Sequence, residues 1–130
     1  MNMSLGLLKL INLIFFLFLS SAAYSDLIEG NKVQFNVLNK ITANVETIHI
    51  KVNEYYKFES LNIEIFSCYK NPPEDIPENY VLLRIYDQKK REENSLAYQG
   101  WMISSSPAVS PLEHPIYDLW LIDCKTDIDF

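Results

Sequence analysis

The residues best suited to chemistry in this sequence are three hydroxyls at Ser104, Ser105 and Ser106, followed by His114 and Asp118. Together they hold the inventory of a Ser-His-Asp triad, in which an imidazole takes the proton of an attacking hydroxyl and a carboxylate orients the imidazole. The local pattern argues against that use. No Gly-x-Ser-x-Gly turn presents any of these serines, and nothing marks an oxyanion site. Serines next to Pro107 suit the capping of turns, and a histidine before Pro115 suits the bracing of a loop by hydrogen bonds. No catalytic residue is assigned on this reading, and the chain reads as a non-enzyme.

Metal chemistry has less to work with. A structural or catalytic metal needs three or four converging ligands, and His49 and His114 are the only histidines. Glu74, Asp75 and Glu78 lack the alternating acid pattern and glycine of a calcium loop, so they read as a solvated acidic connection. No metal site and no cofactor is expected. Tyr55, Tyr56, Trp101 and Trp120 could offer flat faces to a sugar, but the two tryptophans sit in apolar stretches where core packing is the ordinary role.

The first residues set the compartment. Lys9 is followed by an apolar run from Leu10 to Leu19 and then by small residues at 20–23, which is the layout of a secretory signal. Ala23 and Ser25 occupy the small positions three and one before a cut that would leave Asp26 as the new N-terminus. Residues 1–25 are therefore expected to be a cleaved signal peptide and 26–130 a single domain in the periplasm. The alternative is an uncleaved inner-membrane anchor, because the apolar stretch from Leu5 to Ala23 approaches the ~20 residues that span a bilayer. With cleavage, no membrane span remains.

In an oxidising compartment the isolated pair Cys68 and Cys124 reads as a disulfide, worth ~4 kcal/mol by loop-closure entropy. The pair is not in the adjacent Cys-x-x-Cys form of a redox-active site. The formal charge of −6 becomes −7 when Lys9 is removed with the signal, since residues 1–25 carry no acid. Such a balance argues against nucleic acid or anionic lipid as a partner.

Alternation of apolar and polar residues dominates the remainder and predicts strands. Val33, Phe35 and Val37 share one side of a segment that turns through 39–44 into another, where Ile48, Ile50 and Val52 face one way and His49 the wet way. Leu61, Ile63 and Ile65 share a face, with Asn62, Glu64, Phe66 and then Cys68 on the other. Tyr80 to Tyr86 is more continuously apolar, as for a strand covered on both sides. Two further strands start at Tyr98 and Tyr117, and in the last of them Trp120, Ile122 and Cys124 share a face, which places the disulfide beside a buried tryptophan. The fold class is all-β: a small barrel or sandwich of six to seven short, mainly antiparallel strands, preceded by a helical signal segment.

Three connections stand out: the Pro-rich acidic loop 71–79, the charged stretch 88–94 read as a solvated hairpin tip, and the long Pro- and Ser-rich loop 104–115. Length without secondary structure is where function concentrates.

Cys68-Tyr-Lys-Asn-Pro-Pro-Glu-Asp with Pro77-Glu-Asn, the run from Gly100-Trp-Met-Ile to Leu-Ile-Asp-Cys124, and Leu38-Asn-Lys-Ile-Thr resemble the exported bacterial family known as domain of unknown function 2155. The similarity covers nearly all of the mature chain in the same order; Asn44 departs from it, standing where a turn glycine is expected. The resemblance implies a periplasmic domain paired through Cys68 and Cys124, and it brings no activity, substrate or catalytic residue. The resulting expectation is a non-catalytic interaction or assembly module of the cell envelope, contacting another envelope or periplasmic protein through Ser105, Ser106, Pro107, Glu113, His114, Tyr117 and Asp118. A small hydrolase acting on an envelope polymer and a glycan-binding domain are the alternatives.

Overall fold

A computed structural model describes residues 4–18, 26–88 and 95–128 of the chain. The small-residue zone expected to be cut, including Ala23 and Ser25, and most of the charged tip 88–94 lie outside the described residues.

Among the described residues eight strands follow one helix: α1 (Leu5–Phe18), β1 (Ile28–Gly30), β2 (Lys32–Asn39), β3 (Asn44–Lys51), β4 (Tyr55–Phe58), β5 (Leu61–Lys70), β6 (Asn79–Asp87), β7 (Ser95–Ile103) and β8 (Tyr117–Lys125). All pairings are antiparallel, in two sheets that do not close into a barrel. One sheet has three strands in the order β3-β2-β8. The other runs β1-β5-β6-β7, with β4 also on β5. Because β5 is ten residues long, β4 pairs with its first residues and β1 with its last. The six segments expected from alternation are all strands, and the short β1 and β4 bring the number to eight.

Apolar residues at every second position turn inward from both sheets, so Phe35, Ile50, Leu61, Ile63, Ile65, Leu83 and Ile85 are fully buried between them. In β6 the burial alternates: Val81, Leu83 and Ile85 are inside, while Tyr80, Leu82, Arg84 and Tyr86 are half-exposed on the outer side. The expectation of a strand covered on both sides is thus corrected; its apolar outer residues lie on an uncovered face of a two-layer sandwich.

Three β-bulges interrupt the ladders, at Phe66 in β5, Ala97 in β7 and Ile122 in β8. An extra residue shifts the in–out alternation by one, so every side chain after it changes face. Cys68 therefore lies on the inner side with Leu61, Ile63 and Ile65, and Cys124 on the inner side with Leu119 and Leu121. This corrects both sequence-based placements: Trp120 is only half-buried and Ile122 is exposed, so the disulfide does not share its face with tryptophan.

The two cysteines form one disulfide that joins β5 to β8 across the core, with Cα atoms 5.9 Å apart and both residues fully buried. Gly30 lies against it, and a Cβ at that position would fall 2.3 Å from Cys124 Sγ, 2.9 Å from Cys68 Sγ and 2.8 Å from the Lys125 carbonyl. The glycine is required by close approach.

The turns are built from side-chain caps and left-handed residues. Asn39 Oδ1 accepts the Ile41 and Thr42 amides at 3.0 and 3.2 Å, and Ala43 closes the turn at φ 55°. The left-handed position thus sits one residue before Asn44, and alanine occupies it. The apolar helix α1 exposes its described side chains, Leu5 and Phe16 most of all. Its fourteen residues reach about 21 Å, and no helix among the described residues is long and apolar enough to cross a membrane.

Candidate functional site

Loop 104–116 connects β7 to β8 and is fixed at both ends by side chains from elsewhere. At its start, Glu78 from the end of the acidic loop receives the Ser104 hydroxyl at 2.7 Å and the Ser105 amide at 2.9 Å on Oε1, and the Ser105 hydroxyl on Oε2. Burial works against the charge of Glu78, but the hydrogen bonds from Ser105, Ser104 and the backbone outweigh it and hold the carboxyl below its ordinary pKa of 4.5. Asn79, the next residue, ties the same place to β8: the Cys124 amide donates to its Oδ1 at 3.0 Å, and its Nδ2 reaches Ser104 Oγ at 3.3 Å and the Ile122 carbonyl at 3.5 Å. The clamp thus grips the backbone at the bulged Ile122 and at Cys124 beyond it.

At the far end the anchor is His114. Its Nδ1 accepts the amides of Ile116 and Tyr117, each at 3.1 Å, which places the ring proton on Nε2, where it donates to Asp87 Oδ2 at 3.0 Å. Both side chains are about 5% exposed. The imidazole stacks on Tyr117, whose ring meets Phe58 edge-on at 5.8 Å. Burial raises the Tyr117 phenol above its ordinary value, with the negative charges of Glu59 and Asp87 adding to the effect. Lys40 completes the anchor, donating to the His114 carbonyl at 2.5 Å and pairing with Asp118 at 3.2 Å.

These partners keep the triad inventory apart. Both ring nitrogens of His114 are engaged, one by Asp87 and the other by the backbone; Asp118 faces Lys40; Ser104 and Ser105 face Glu78. Neither nitrogen of His114 is left to activate a hydroxyl, so the arrangement braces a loop. The sequence pointed to bracing by His114, but not to Asp87, Glu78 or Asn79, because each lies in a different strand or loop from the group it holds.

Of the candidate contact residues, Ser105, Pro107 and Glu113 are exposed, Ser106 and Asp118 half-buried, and His114 and Tyr117 buried. The accessible part of the loop is thus its middle, where Val109 is 74% exposed. A cavity of about 230 Å³ opens beside it, bounded by Pro107, Ala108, Pro111 and Leu112 from the loop and by Asp118, Leu119 and Trp120 from β8.

The aromatic residues are placed otherwise than expected. Trp101 is 46% exposed, on the outer side of β7, and leans on Tyr69 at 6.2 Å. Tyr55 is 77% exposed on β4 and Tyr56 half-buried. The core role expected for the two tryptophans is corrected: outer-face positions of a two-layer sandwich keep Trp101 at the surface and Trp120 at the cavity. Among the described residues no group of His, Cys, Asp and Glu converges as a metal site.

The chain is similar to an uncharacterized protein of Rickettsia prowazekii (strain Madrid E), 42% identical over 87 residues, which is 67% of this chain and 56% of the relative. It thus spans little more than half the length of the relative it matches. No solved structure matches it. The family model described as "Uncharacterized protein conserved in bacteria (DUF2155)" matches residues 33–124, from the first core valine of β2 to the cysteine that ends the disulfide. The braced sandwich is therefore the part that is shared, and the chain belongs to the DUF2155 family of uncharacterized bacterial proteins.

Proposed function

We propose that residues 26–130 form a non-catalytic interaction module of the cell envelope, exported by a cleaved signal at residues 1–25, which contacts another envelope protein through the middle of loop 104–116. The observation that carries this reading is the double anchoring of that loop. Glu78 fixes its start and His114 its end, while Ser105, Pro107, Val109 and Glu113 stay exposed between them. A loop held in one conformation before binding loses little entropy when a partner docks. Pro107, Pro111 and Pro115 restrict it further. The cavity beside Trp120 suits one apolar side chain of the partner.

Export is supported by the layout of residues 1–25 and by a disulfide as the main inter-sheet link. Two measurements test the reading. N-terminal sequencing of protein recovered from the periplasm is expected to begin at Asp26; an intact Met1 would overturn the cleavage. A photo-crosslinking residue at Val109 in the native host is expected to give one defined protein adduct, absent when the same group replaces Ile41 in the β2–β3 turn. Equal adducts at both positions, or none at Val109, would remove the loop as the contact surface.

A further inference from the structure

We propose that the outward face of the five-stranded sheet is a second binding surface, independent of the loop, which takes an uncharged, extended chain of pyranose sugars. The outer side of a sandwich sheet is ordinarily polar, because it meets water. Here aromatic residues flank one polar row.

The row follows from the strand register. Tyr55 lies opposite Glu64, Glu64 opposite Arg84, and Arg84 opposite Gln99, so four strands place these side chains side by side. They are linked to one another: Arg84 Nη1 forms an ion pair with Glu64 at 3.8 Å, Arg84 Nε donates to Gln99 Oε1 at 3.1 Å, and the Tyr55 hydroxyl, opposite Glu64 in the register, interacts with that carboxylate. At ~4.8 Å per strand the row is about 14 Å long. On one side Phe66 carries the Arg84 guanidinium 5.1 Å from its ring centre, and Trp101 leans on Tyr69. On the other side lies Tyr86. The two most exposed rings, Tyr55 and Trp101, stand on the outermost strands of this strip, β4 and β7.

This combination fits a sugar chain. A pyranose presents an apolar C–H face, which an aromatic ring accepts with its negative π-face, and hydroxyls around its edge, which pair with planar amide, guanidinium and carboxylate groups. Charge decides between kinds of chain. Arg84 and Glu64 balance each other within the row, and the protein carries a net −6, so a polyanionic glycan is repelled and a neutral one is not.

The test is a calorimetric titration of the disulfide-intact protein with chitohexaose and with cellohexaose. We expect saturable binding of at least one of them with a Kd of about 1 mM or tighter. Trp101→Ala and Tyr55→Ala should each weaken it about tenfold or more, with the thermal midpoint unchanged for Tyr55→Ala, whose side chain is 77% exposed. Val109→Ala, in the loop, should leave it as it is, so that failure here and failure of the loop contact are read separately. If Trp101→Ala does not fold, Gln99→Ala on the exposed side of β7 takes its place. Absence of saturable binding to both sugars, or binding that survives all of these substitutions, would overturn the proposal. So would burial of Trp101 by a bound protein in a domain that binds neither sugar.

Discussion

Cys68 and Cys124 each lie two residues beyond a β-bulge, at Phe66 in one sheet and Ile122 in the other, and it is these two bulges that turn both sulfurs into the core. Without the extra residues, alternation would point Cys68 outward with Glu64 and Cys124 outward with Trp120. The disulfide is thus a consequence of paired irregularities.

Removing the bridge in the double variant Cys68→Ala/Cys124→Ala should cost about 2–5 kcal/mol, read as a lowered urea midpoint. The loss should exceed that of Asn79→Ala, which removes the side chain gripping the β8 bulge and should cost about 1–3 kcal/mol. Protein recovered from the native host should show no free thiol by non-reducing mass spectrometry.

Gly30→Ala should be among the most damaging single-methyl additions in the domain, at about 2–4 kcal/mol. The new Cβ would strike both sulfurs and the Lys125 carbonyl, and backbone on that side cannot swing away. In the Cys68→Ala/Cys124→Ala background the clash with sulfur disappears while the clash with the carbonyl stays. A double-mutant cycle should therefore show a penalty that falls but does not vanish.

Glu78 makes stability depend on acid. Its folded pKa lies below its ordinary value, so it stabilises the fold fully above about pH 4.5, and that contribution is lost as pH falls through the folded value. Glu78→Gln should lower stability at pH 7 by about 1–2 kcal/mol. It should also flatten the decline of the thermal midpoint below pH 4.5 relative to the parent. Equal acid sensitivity in both proteins would show that other carboxyls carry it.

His114→Ala should free the end of the loop. It removes the acceptor for the Ile116 and Tyr117 amides and leaves the buried Asp87 carboxylate without its imidazole donor, which together should cost about 2–4 kcal/mol. Limited proteolysis should then cut within 104–113 faster than in the parent, while Ser106→Ala, at a half-buried hydroxyl in the loop, should leave the rate near its original value.

How much of this was legible can be judged from particular residues. The period-two placement of Val33, Phe35 and Val37, of Ile48 and Ile50, and of Leu61, Ile63 and Ile65 identified strands and their inner faces, since a strand's own sequence carries that information. His49 lies on the wet face that alternation assigns to it, where slight burial and the charges of Lys125 and Lys32 lower its pKa. The short strands β1 and β4 carry no signature in the sequence, because three or four residues are too few to show a period. The outer row from Tyr55 to Gln99 was invisible for another reason: it joins four strands, and its order depends on their register.

The sequence by itself determined an all-β chain with one cysteine pair and a long serine- and proline-rich loop, because alternation, cysteine number and proline content are written residue by residue. Only the tertiary structure decided which way Cys68, Cys124 and Trp120 face, and that His114 is held by Asp87. A bulge exists only as a mismatch between two paired strands, and a hydrogen bond between loops needs both to be in place. Neither can be read from one stretch of chain considered alone.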